Sequence, residues 1–455
     1  METAKLAIHK SRPLDGSTSS PDKAIPFGRA LKKDFLFDKQ YRNLNHGSFG
    51  TYPSTVRDAL RSFQDQAEAR PDQFIRYDYP KALDRSRVAM AEFLKVPVET
   101  IVFVPNATTG INTVMRNLVF EPKDRIVYFS TIYGACGKTV SYITETTPAE
   151  AVEVEVTYPV SDGWLVGEFE RVVKREQEAG NSVKVAIFDT VVSMPGVRVP
   201  FERLTAACKE LGVLSCVDGA HGVGHVDLDL GELDCDFFVS NCHKWLFVPR
   251  GCAVFYVPVR NQHLIRSTLP TSHGFTPLPS QGETFKNPLP PSSKSAYITN
   301  FEFVGTIDNA PYLCIPTALE YREKLGGEAA ILKHCHTLAR TAAKIVSEAL
   351  GTEILENEEG TLGNCCMSNV KLPLSLAEIT SMAKTQDVGM MVLNWIYGVL
   401  VKEFDTFIAV VWLGDCWWVR FSAQVYLEEE DFEWAAEVLK EVCRRVMKGE
   451  FLAKK

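Results

Sequence analysis

The sequence lacks the features that would direct it to a membrane, a nucleic acid or a metal ion. No apolar run reaches the roughly 18 residues that a transmembrane helix needs. The net charge of −8 leaves no excess of basic residues for binding nucleic acid or acidic membranes. The twelve cysteines are scattered and form no CxxC pair, so we expect no metal site.

A secretion signal is also missing from the sequence. Residues 1–23 are polar and contain no hydrophobic core, which argues against a signal peptide and favours a flexible arm over residues 1–35. The cysteines are therefore expected to be reduced thiols in a cytoplasmic protein. With 45% hydrophobic and 23% charged residues, the 455-residue chain is expected to fold into two or three globular domains.

From residue 101 onward, short apolar segments alternate with helical stretches, a pattern typical of crossover units around a mostly parallel sheet. The predicted strands are 101–104, 126–129, 183–188, 213–217, 237–240 and 252–257. Two long helices, 308–325 and 327–350, are predicted to begin a different unit. We therefore predict an α/β fold with a large domain at 36–305 and a smaller α+β domain at 306–455.

Polar motifs follow five of these predicted strands. The first is a small-residue turn at 106–112, whose Thr108, Thr109 and Gly110 would open a helix and offer amide hydrogens to a phosphate. The other motifs contain Tyr133, Ser193, Asp218 with His221, and His243 with Lys244. Ligands of open α/β sheets bind outside the carboxyl ends of the strands, so these motifs are expected to meet in one cleft.

Lys244 and Asp218 indicate the chemistry of that cleft. A lysine after a buried strand is partly desolvated, which lowers its pKa and frees its amine for reaction with a carbonyl group. A carboxylate at the end of a nearby strand is suited to pair with the protonated ring nitrogen of pyridoxal 5'-phosphate. Taken alone, such a lysine is more often a solvated surface charge, and Asp218 is the reason to prefer the catalytic interpretation.

The motifs Asp-Gly-Ala-His at 218–221 and Asn-x-His-Lys-Trp at 241–245 resemble those of the class V aminotransferases of fold type I. The similarity is strongest to the branch that contains isopenicillin N epimerase and fungal hercynylcysteine sulfoxide lyase. It extends over residues 43–53, 131–138, 240–275 and 301–311. The resemblance implies a mostly parallel seven-stranded sheet between helices and a pyridoxal phosphate cofactor.

The resemblance also implies which residues bind this cofactor. Its phosphate would be held by Thr108, Thr109, Gly110, Ser240 and His243, and by Thr306 of the second subunit of a homodimer. Tyr133 would stack on the pyridine ring, and Asp218 would pair with the ring nitrogen. Ser193 and His221 would donate hydrogen bonds to the ring oxygen. Lys244 would form the covalent bond to the cofactor. Related cysteine desulfurases carry asparagine and glutamine at the positions of Ser193 and His221, so the chain departs from them there. A helix N-cap is the alternative for Thr306.

The resemblance finally implies a substrate and a reaction. Arg420 would bind the α-carboxylate of an amino acid, with a structural salt bridge as the alternative, and Asn45 and Ser48 would line the substrate side of the pocket. Phe275, in the long loop at 271–295, would cover the substrate. The expected substrate is a cysteine sulfoxide conjugate, cleaved by β-elimination to ergothioneine, pyruvate and ammonia. Lys244 would remove the α-proton, and either Tyr133 or Lys244 would protonate the leaving group. An epimerase, another cysteine-conjugate lyase and a desulfurase remain as alternatives.

Overall fold

The computed structural model describes residues 26–268, 274–275, 293–385 and 387–453. The strands are β1 Arg42–Asn43, β2 Ile101–Val104, β3 Asp124–Phe129, β4 Glu150–Val154, β5 Ser182–Asp189, β6 Leu214–Asp218, β7 Phe237–Asn241, β8 Ala253–Tyr256, β9 Met367–Lys371, β10 Thr406–Phe407, β11 Ala409–Leu413 and β12 Cys416–Ser422. The α-helices are α1 His46–Phe49, α2 Ser54–Ala69, α3 Pro71–Gln73, α4 Tyr79–Leu94, α5 Ala107–Asn117, α6 Gly134–Thr146, α7 Asp162–Glu178, α8 Phe201–Leu211, α9 Leu230–Leu233, α10 Cys242–Trp245, α11 Ala296–Glu302, α12 Ala310–Leu313, α13 Ile315–Lys324, α14 Gly327–Leu350, α15 Leu376–Ala383, α16 Gly389–Glu403 and α17 Glu429–Met447.

Seven strands form the central sheet in the order β2-β8-β7-β6-β5-β3-β4. Only β8 runs antiparallel to its neighbours, so the predicted mostly parallel seven-stranded sheet is confirmed. The six predicted strands agree with the structure to within about two residues at each end. The edge strand β4 was not predicted, because its Glu-Ala-Val-Glu-Val sequence is largely exposed and has no continuous apolar run.

Helices cover both faces of this sheet because side chains alternate along each strand. In β2, Val102 and Val104 belong to the hydrophobic core shared with α5 and α6. The side chain of Phe103 belongs to the core on the opposite face and stacks on Tyr312 with ring centroids 5.7 Å apart. The carboxyl ends of β2, β5, β6 and β7 therefore lie between two packed helical layers, where the polar motifs begin.

A second, antiparallel sheet has the order β11-β12-β9, and α14 packs on it and on α17. The helix predicted at 327–350 has the bounds of α14. The helix predicted at 308–325 is instead divided into α12 and α13, each with a proline in its first turn. Proline is tolerated at such a position because the first amides of a helix have no intrahelical partner.

The start of the described chain is attached to the carboxyl-terminal elements. The amide of Gly28 donates to the carbonyl of Val425 at 2.7 Å, and β1 pairs with β10 in parallel. Residues 1–25 of the predicted arm lie outside the described residues. None of the helices in the described ranges combines the length and apolarity that crossing a lipid bilayer would take.

Candidate active site

Lys244 lies in the single turn α10, immediately after β7, and its side chain is partly buried. Its Nζ atom is 2.9 Å from Nε2 of His221. Burial lowers the pKa of Lys244 to about 8, although the charge of Asp218 opposes the change. The fraction of neutral amine near neutral pH is therefore much larger than for an exposed lysine, as reaction with a carbonyl group requires.

His221 follows β6 by three residues and is buried. Its Nδ1 atom accepts a hydrogen bond from Nε1 of Trp245 at 3.1 Å. An indole N–H is only a donor, so Nδ1 carries no proton and the neutral imidazole carries its proton on Nε2. Burial, with Lys244 nearby, holds the pKa of His221 well below its usual value, so the ring is neutral. Nε2–H therefore faces Nζ of Lys244 and can donate a hydrogen bond to the neutral form of the amine.

Asp218 ends β6 and is only 3% exposed. Its carboxylate accepts hydrogen bonds from the Ala220 amide at 2.9 Å and from the Cys136 thiol at 3.3 Å. Asp189 ends the neighbouring strand β5 directly beside it. Burial and the charge of Asp218 raise the pKa of Asp189 well above its usual value. Burial also raises the pKa of Asp218, but its hydrogen bonds with Ala220 and Cys136 oppose this change. Since the two carboxyl groups oppose each other's ionisation, we assign the negative charge of the pair to Asp218, which has the hydrogen-bond donors.

The amino end of α5 lies beside α10, the turn that contains Lys244 and is called the lysine turn below. Asn106 caps this helix through the Thr109 amide at 2.8 Å, and the Ala107 amide donates to the Asn241 side chain at 2.9 Å. Within the described part of the chain, the Thr108 amide and hydroxyl hydrogens have no acceptor. Gly110 packs on β7, because an added Cβ would lie 2.5 Å from Val239. Thr108 is thus the donor of this turn that is available to a phosphate.

Ser240 and His243, next to Lys244 in the chain, differ in whether they can donate a hydrogen bond to a phosphate at this end of α5. The hydroxyl oxygen of Ser240 is fully buried and accepts the Val223 amide hydrogen at 2.9 Å. Since successive strand residues point to opposite faces, it is Asn241, and not Ser240, that contacts α5. His243 uses Nδ1 to reach the Cys252 carbonyl at 3.1 Å, so its neutral ring has an unprotonated Nε2. Burial lowers the pKa of His243 to about 4. Phosphate binding by His243 would therefore require proton uptake.

Arg420, on β12, is fully buried between the two sheets. Its guanidinium donates to the Asn45 amide oxygen at 2.7 Å, the Ser48 hydroxyl at 2.8 Å and the Ser193 carbonyl at 2.5 Å. All of these acceptors among the described residues are uncharged, and Nε, which is buried, has no partner there. Burial lowers the pKa of Arg420 to about 10, so it still carries a charge at neutral pH. A carboxylate ligand would supply the missing anion.

The other residues of interest lie farther out. Tyr133 precedes α6 and its side chain is 48% exposed, while Cys136, one turn later, contacts Asp218. Thr306 is exposed between α11 and α12, the N-cap of α12 is Asn309, and the carboxylate of Asp308 accepts from the Ala310 amide at 2.9 Å. Phe275 is half-exposed under the Arg266 guanidinium, and most of its loop, 269–273 and 276–292, lies outside the described residues.

The sequence interpretation did not assign site roles to Trp245, Asp189, Cys136 or Asn241. Asp189 could have been found from the sequence, because it is, like Asp218, an acid at the end of a buried strand. Asn241 is the first residue of the Asn-x-His-Lys-Trp motif, in which only His243 and Lys244 were assigned roles. The contact of Trp245 with His221 depends on packing and had no sequence signal.

The described residues fit pyridoxal 5'-phosphate. The buried Asp218 carboxylate has only neutral hydrogen-bond donors, so a protonated pyridine nitrogen would supply a cation. Thr108 and the positive end of α5 suit a phosphate. Lys244 and His221 follow the neighbouring strands β7 and β6 and add an amine of lowered pKa and an N–H donor for an anionic ring oxygen.

The model of the aminotransferase class-V family matches residues 52–392. The chain is 38% identical to the L-cysteine desulfhydrase-like protein lolT1 of Epichloe uncinata, covering 94% of this chain and 98% of that protein. It is 29% identical to hercynylcysteine sulfoxide lyase of Schizosaccharomyces pombe, covering 92% and 98%. The solved complex of the cystine C-S lyase C-DES with cysteine persulfide is similar in fold, with a TM-score of 0.70 and 18% identity over 88% of this chain and 97% of that one. A C-DES variant with glycine covalently linked to its PLP cofactor has the same TM-score, with 17% identity over 88% and 96%.

Proposed function

We propose, from the premise that the chain belongs to the aminotransferase class-V family, that it cleaves hercynylcysteine sulfoxide. The chain is a fold type I enzyme that depends on pyridoxal phosphate, as the sequence predicted, and its reaction is carbon-sulfur bond cleavage. The identity of the substrate is the proposal. It is supported by the hercynylcysteine sulfoxide lyase of S. pombe, whose similarity covers 92% of this chain.

The contact between Lys244 and His221 carries the proposed mechanism. A buried amine with a pKa of about 8 can act as a base near neutral pH, and Nε2 of His221 lies 2.9 Å from it. Pyridoxal phosphate, when bound, accepts electrons from the α-carbon and so makes the α-proton acidic. Lys244 removes that proton. Arg420 meanwhile orients the substrate by pairing with the α-carboxylate of the substrate, which would replace the uncharged acceptors Asn45 and Ser48.

The leaving group of this reaction is a sulfenate. Breaking the Cβ–S bond transfers the electron pair to sulfur, and either Tyr133 or Lys244, once it carries the α-proton, donates a proton toward it. The three-carbon fragment leaves as pyruvate and ammonia after hydrolysis. The sulfur product is a sulfenic acid, which two molecules of an external thiol reduce to ergothioneine, forming a disulfide and water.

The burial of the cysteines favours this elimination over sulfur transfer to the protein. A desulfurase needs a mobile thiol to accept sulfur, but Cys365 and Cys366 are both buried here. All other cysteines are buried too, except Cys416, which is partly exposed at the start of β12. Burial raises the pKa of the Cys365 thiol to about 12, so it is a poor nucleophile at neutral pH.

A product assay with the purified holoenzyme tests the proposed substrate. The substrate panel is hercynylcysteine sulfoxide, S-methylcysteine sulfoxide, cystine and L-cysteine, each with a thiol reductant. Pyruvate should form fastest from hercynylcysteine sulfoxide, with equimolar ergothioneine. Preferred release of sulfide from L-cysteine would instead favour a cysteine desulfhydrase, the activity named for several relatives. Inversion at the α-carbon without pyruvate would favour an epimerase.

We also propose that the enzyme is a homodimer. Thr306 is exposed and is not the N-cap of α12, which is Asn309, so the hydroxyl of Thr306 is available to a second subunit. In this arrangement it would bind the phosphate of the neighbouring cofactor. Light scattering with activity measured across the eluting peak tests this, and a fully active monomer would contradict it.

A further inference from the structure

An aromatic cavity of about 460 Å³ lies against the loop that precedes α1 and the turn that follows it. Its walls include four rings, Phe37, Tyr41, Phe49 and Phe407, and two opposite charges, Asp405 and Arg250. The volume is in the range of small-molecule sites, which are mostly apolar with a few placed polar groups. Nothing in the mechanism above uses this cavity, and no role was assigned to it from the sequence.

The cavity adjoins the catalytic residues. Asn45 lines it and also accepts the hydrogen bond from Arg420 at 2.7 Å. Gly50 lines it as well, with a positive φ of 63°, and an added Cβ would lie 1.7 Å from the His243 carbonyl and 2.9 Å from Cα of Lys244. The wall between the cavity and the lysine turn is therefore one residue thick. A substrate held by Arg420 at its cysteine end has the cavity beside it.

The negative side of the cavity is held in place by strand pairing. The Arg42 amide donates to the Asp405 carbonyl at 3.3 Å, where β1 meets β10. This pairing places Asp405 and Tyr41 next to each other at the strand ends. The pKa of Tyr41 is raised by burial and by the charge of Asp405, in agreement with this proximity. A carboxylate beside several rings suits a cation with methyl groups, because the rings attract positive charge and bury apolar surface.

The positive side of the cavity is Arg250. Its Nε and one terminal nitrogen donate to the carbonyls of Phe49 and Gly50, at 3.1 and 2.8 Å. The other terminal nitrogen, Nη1, has no acceptor among the described residues. A guanidinium fixed in this way by backbone carbonyls can still bind a carboxylate from a ligand.

We propose that the aromatic cavity binds the betaine end of the substrate, a quaternary ammonium next to a carboxylate. The ammonium lies among the rings and beside Asp405, and the carboxylate binds Arg250. This inference rests on the proposed function, since the hercynyl group is a trimethylated histidine that carries both charges. L-cysteine and S-methylcysteine sulfoxide have no such group beyond the sulfur atom.

Two substitutions separate this subsite from the catalytic residues. Asp405→Asn removes the charge but keeps a residue type that tolerates the positive φ of 48° found there. Asp415→Asn is its matched control, because Asp415 also has a positive φ, 57°, and lies in the turn between β11 and β12, away from the cavity. Phe49→Leu removes a ring whose side chain is 69% exposed, so little packing is lost.

Binding of hercynine to the holoenzyme, measured by calorimetry with histidine as the unmethylated comparison, is the direct readout. The parent and Asp415→Asn should bind hercynine, and Asp405→Asn and Phe49→Leu should each weaken it by roughly 3- to 30-fold, the size of a cation–π or exposed ion-pair contribution. KM for hercynylcysteine sulfoxide should rise by the same factor with kcat nearly unchanged. Cleavage of S-methylcysteine sulfoxide should stay at the parent level in every variant.

The possible failures are distinguishable. If the parent binds no hercynine, or if all variants bind it equally, the cavity is not the betaine subsite, whatever the turnover. If the parent binds hercynine through Asp405 and Phe49 but does not cleave its cysteine sulfoxide conjugate, the subsite stands and the proposed reaction is wrong.

Discussion

The indole Nε1 of Trp245 donates to Nδ1 of His221 at 3.1 Å, on the side of the imidazole opposite the Lys244 amine. Trp245 therefore determines which imidazole nitrogen is protonated, although it does not itself face the cleft. His225 stacks on the Trp245 indole, with ring centroids 4.0 Å apart and an interplanar angle of 13°, and so helps to hold the indole in place. One buried hydrogen bond thus presents an N–H donor to the amine, or to an anionic ring oxygen bound in its place.

Replacing this indole by a ring without a donor tests Trp245 as a positioning residue. In Trp245→Phe, His221 can move its proton to Nδ1, and we expect kcat to fall by about 10-fold or more. The absorption band of the bound cofactor should also change its pH dependence, because the hydrogen bond to the ring oxygen weakens.

Trp417→Phe is the matched control for Trp245→Phe. Trp417 is buried and donates from Nε1 to the Gly389 carbonyl at 3.0 Å, in the other sheet region. The Trp417→Phe variant should lose about as much stability as Trp245→Phe, but the absorption band of its bound cofactor should not change. If both variants behave alike in kcat and spectrum, the effect of Trp245 is only structural.

Asp218 and Asp189 give a second matched pair, since they lie side by side at neighbouring strand ends. Asp218→Asn removes the charge that pairs with a protonated ring nitrogen, and we expect activity to fall by about 10²-fold or more. Burial and the charge of Asp218 raise the pKa of Asp189 well above its usual value, which favours its neutral form, so Asp189→Asn keeps the character of the side chain. It should retain activity within about threefold of the parent. Equal losses in the two variants would contradict this assignment of the charge.

The lowered pKa of Lys244 predicts how the cofactor-free enzyme responds to pH. Its pKa is about 8 in the folded chain and 10.5 as the reference for an exposed lysine. The rate at which the cofactor-free enzyme captures pyridoxal phosphate should therefore rise with pH and level off above about 8. Free Nα-acetyl-lysine, the reference amine, should keep increasing toward 10. Borohydride treatment followed by peptide mapping should find the label on Lys244, and a label elsewhere would end the assignment.

The same pKa change affects stability. The unfolded chain binds the Lys244 proton more tightly than the folded one, so between pH 8 and 10.5 the unfolded state holds more protons. The Lys244 side chain should therefore make the free energy of unfolding of the cofactor-free protein increase as pH rises from 8 to 10.5. Lys244→Met removes the contribution, and the difference between the two proteins should shrink with increasing pH. A constant difference from pH 7 to 10.5 would show that Lys244 is not desolvated.

The fold, and the meeting of polar residues at one end of its sheet, followed from local patterns in the sequence. Buried parallel strands are continuous apolar runs, and a ligand cleft at their carboxyl ends follows from topology, so the proximity of Asp218, His221 and Lys244 was predictable, while their roles stay predictions. The edge strand β4 was missed because an exposed strand has no such run. The choice between Ser240 and Asn241 depends on where β7 ends and which face each residue takes. The pairing of Trp245 with His221 joins residues 24 apart through packing, which no local pattern encodes.

Tyr133 gives the final prediction, because its position suits two different roles. It precedes α6 with a half-exposed side chain, one turn before the cysteine that contacts Asp218. A tyrosine there can stack on the cofactor ring, and its hydroxyl can also donate a proton to the departing sulfenate. Lys244, once it carries the α-proton, is the competing acid.

Tyr133→Phe keeps the ring and removes the hydroxyl, so it separates stacking from proton donation. If the hydroxyl is the acid, pyruvate release should fall by about 10²-fold or more while the cofactor stays bound, as measured by absorbance. Tyr142→Phe is the control, since Tyr142 is a similarly exposed tyrosine of α6 whose ring lies 4.0 Å from the Arg116 guanidinium, outside the cleft. That variant should match the parent. If Tyr133→Phe also matches the parent across the pH range, Lys244 protonates the leaving group and Tyr133 only supports the cofactor ring.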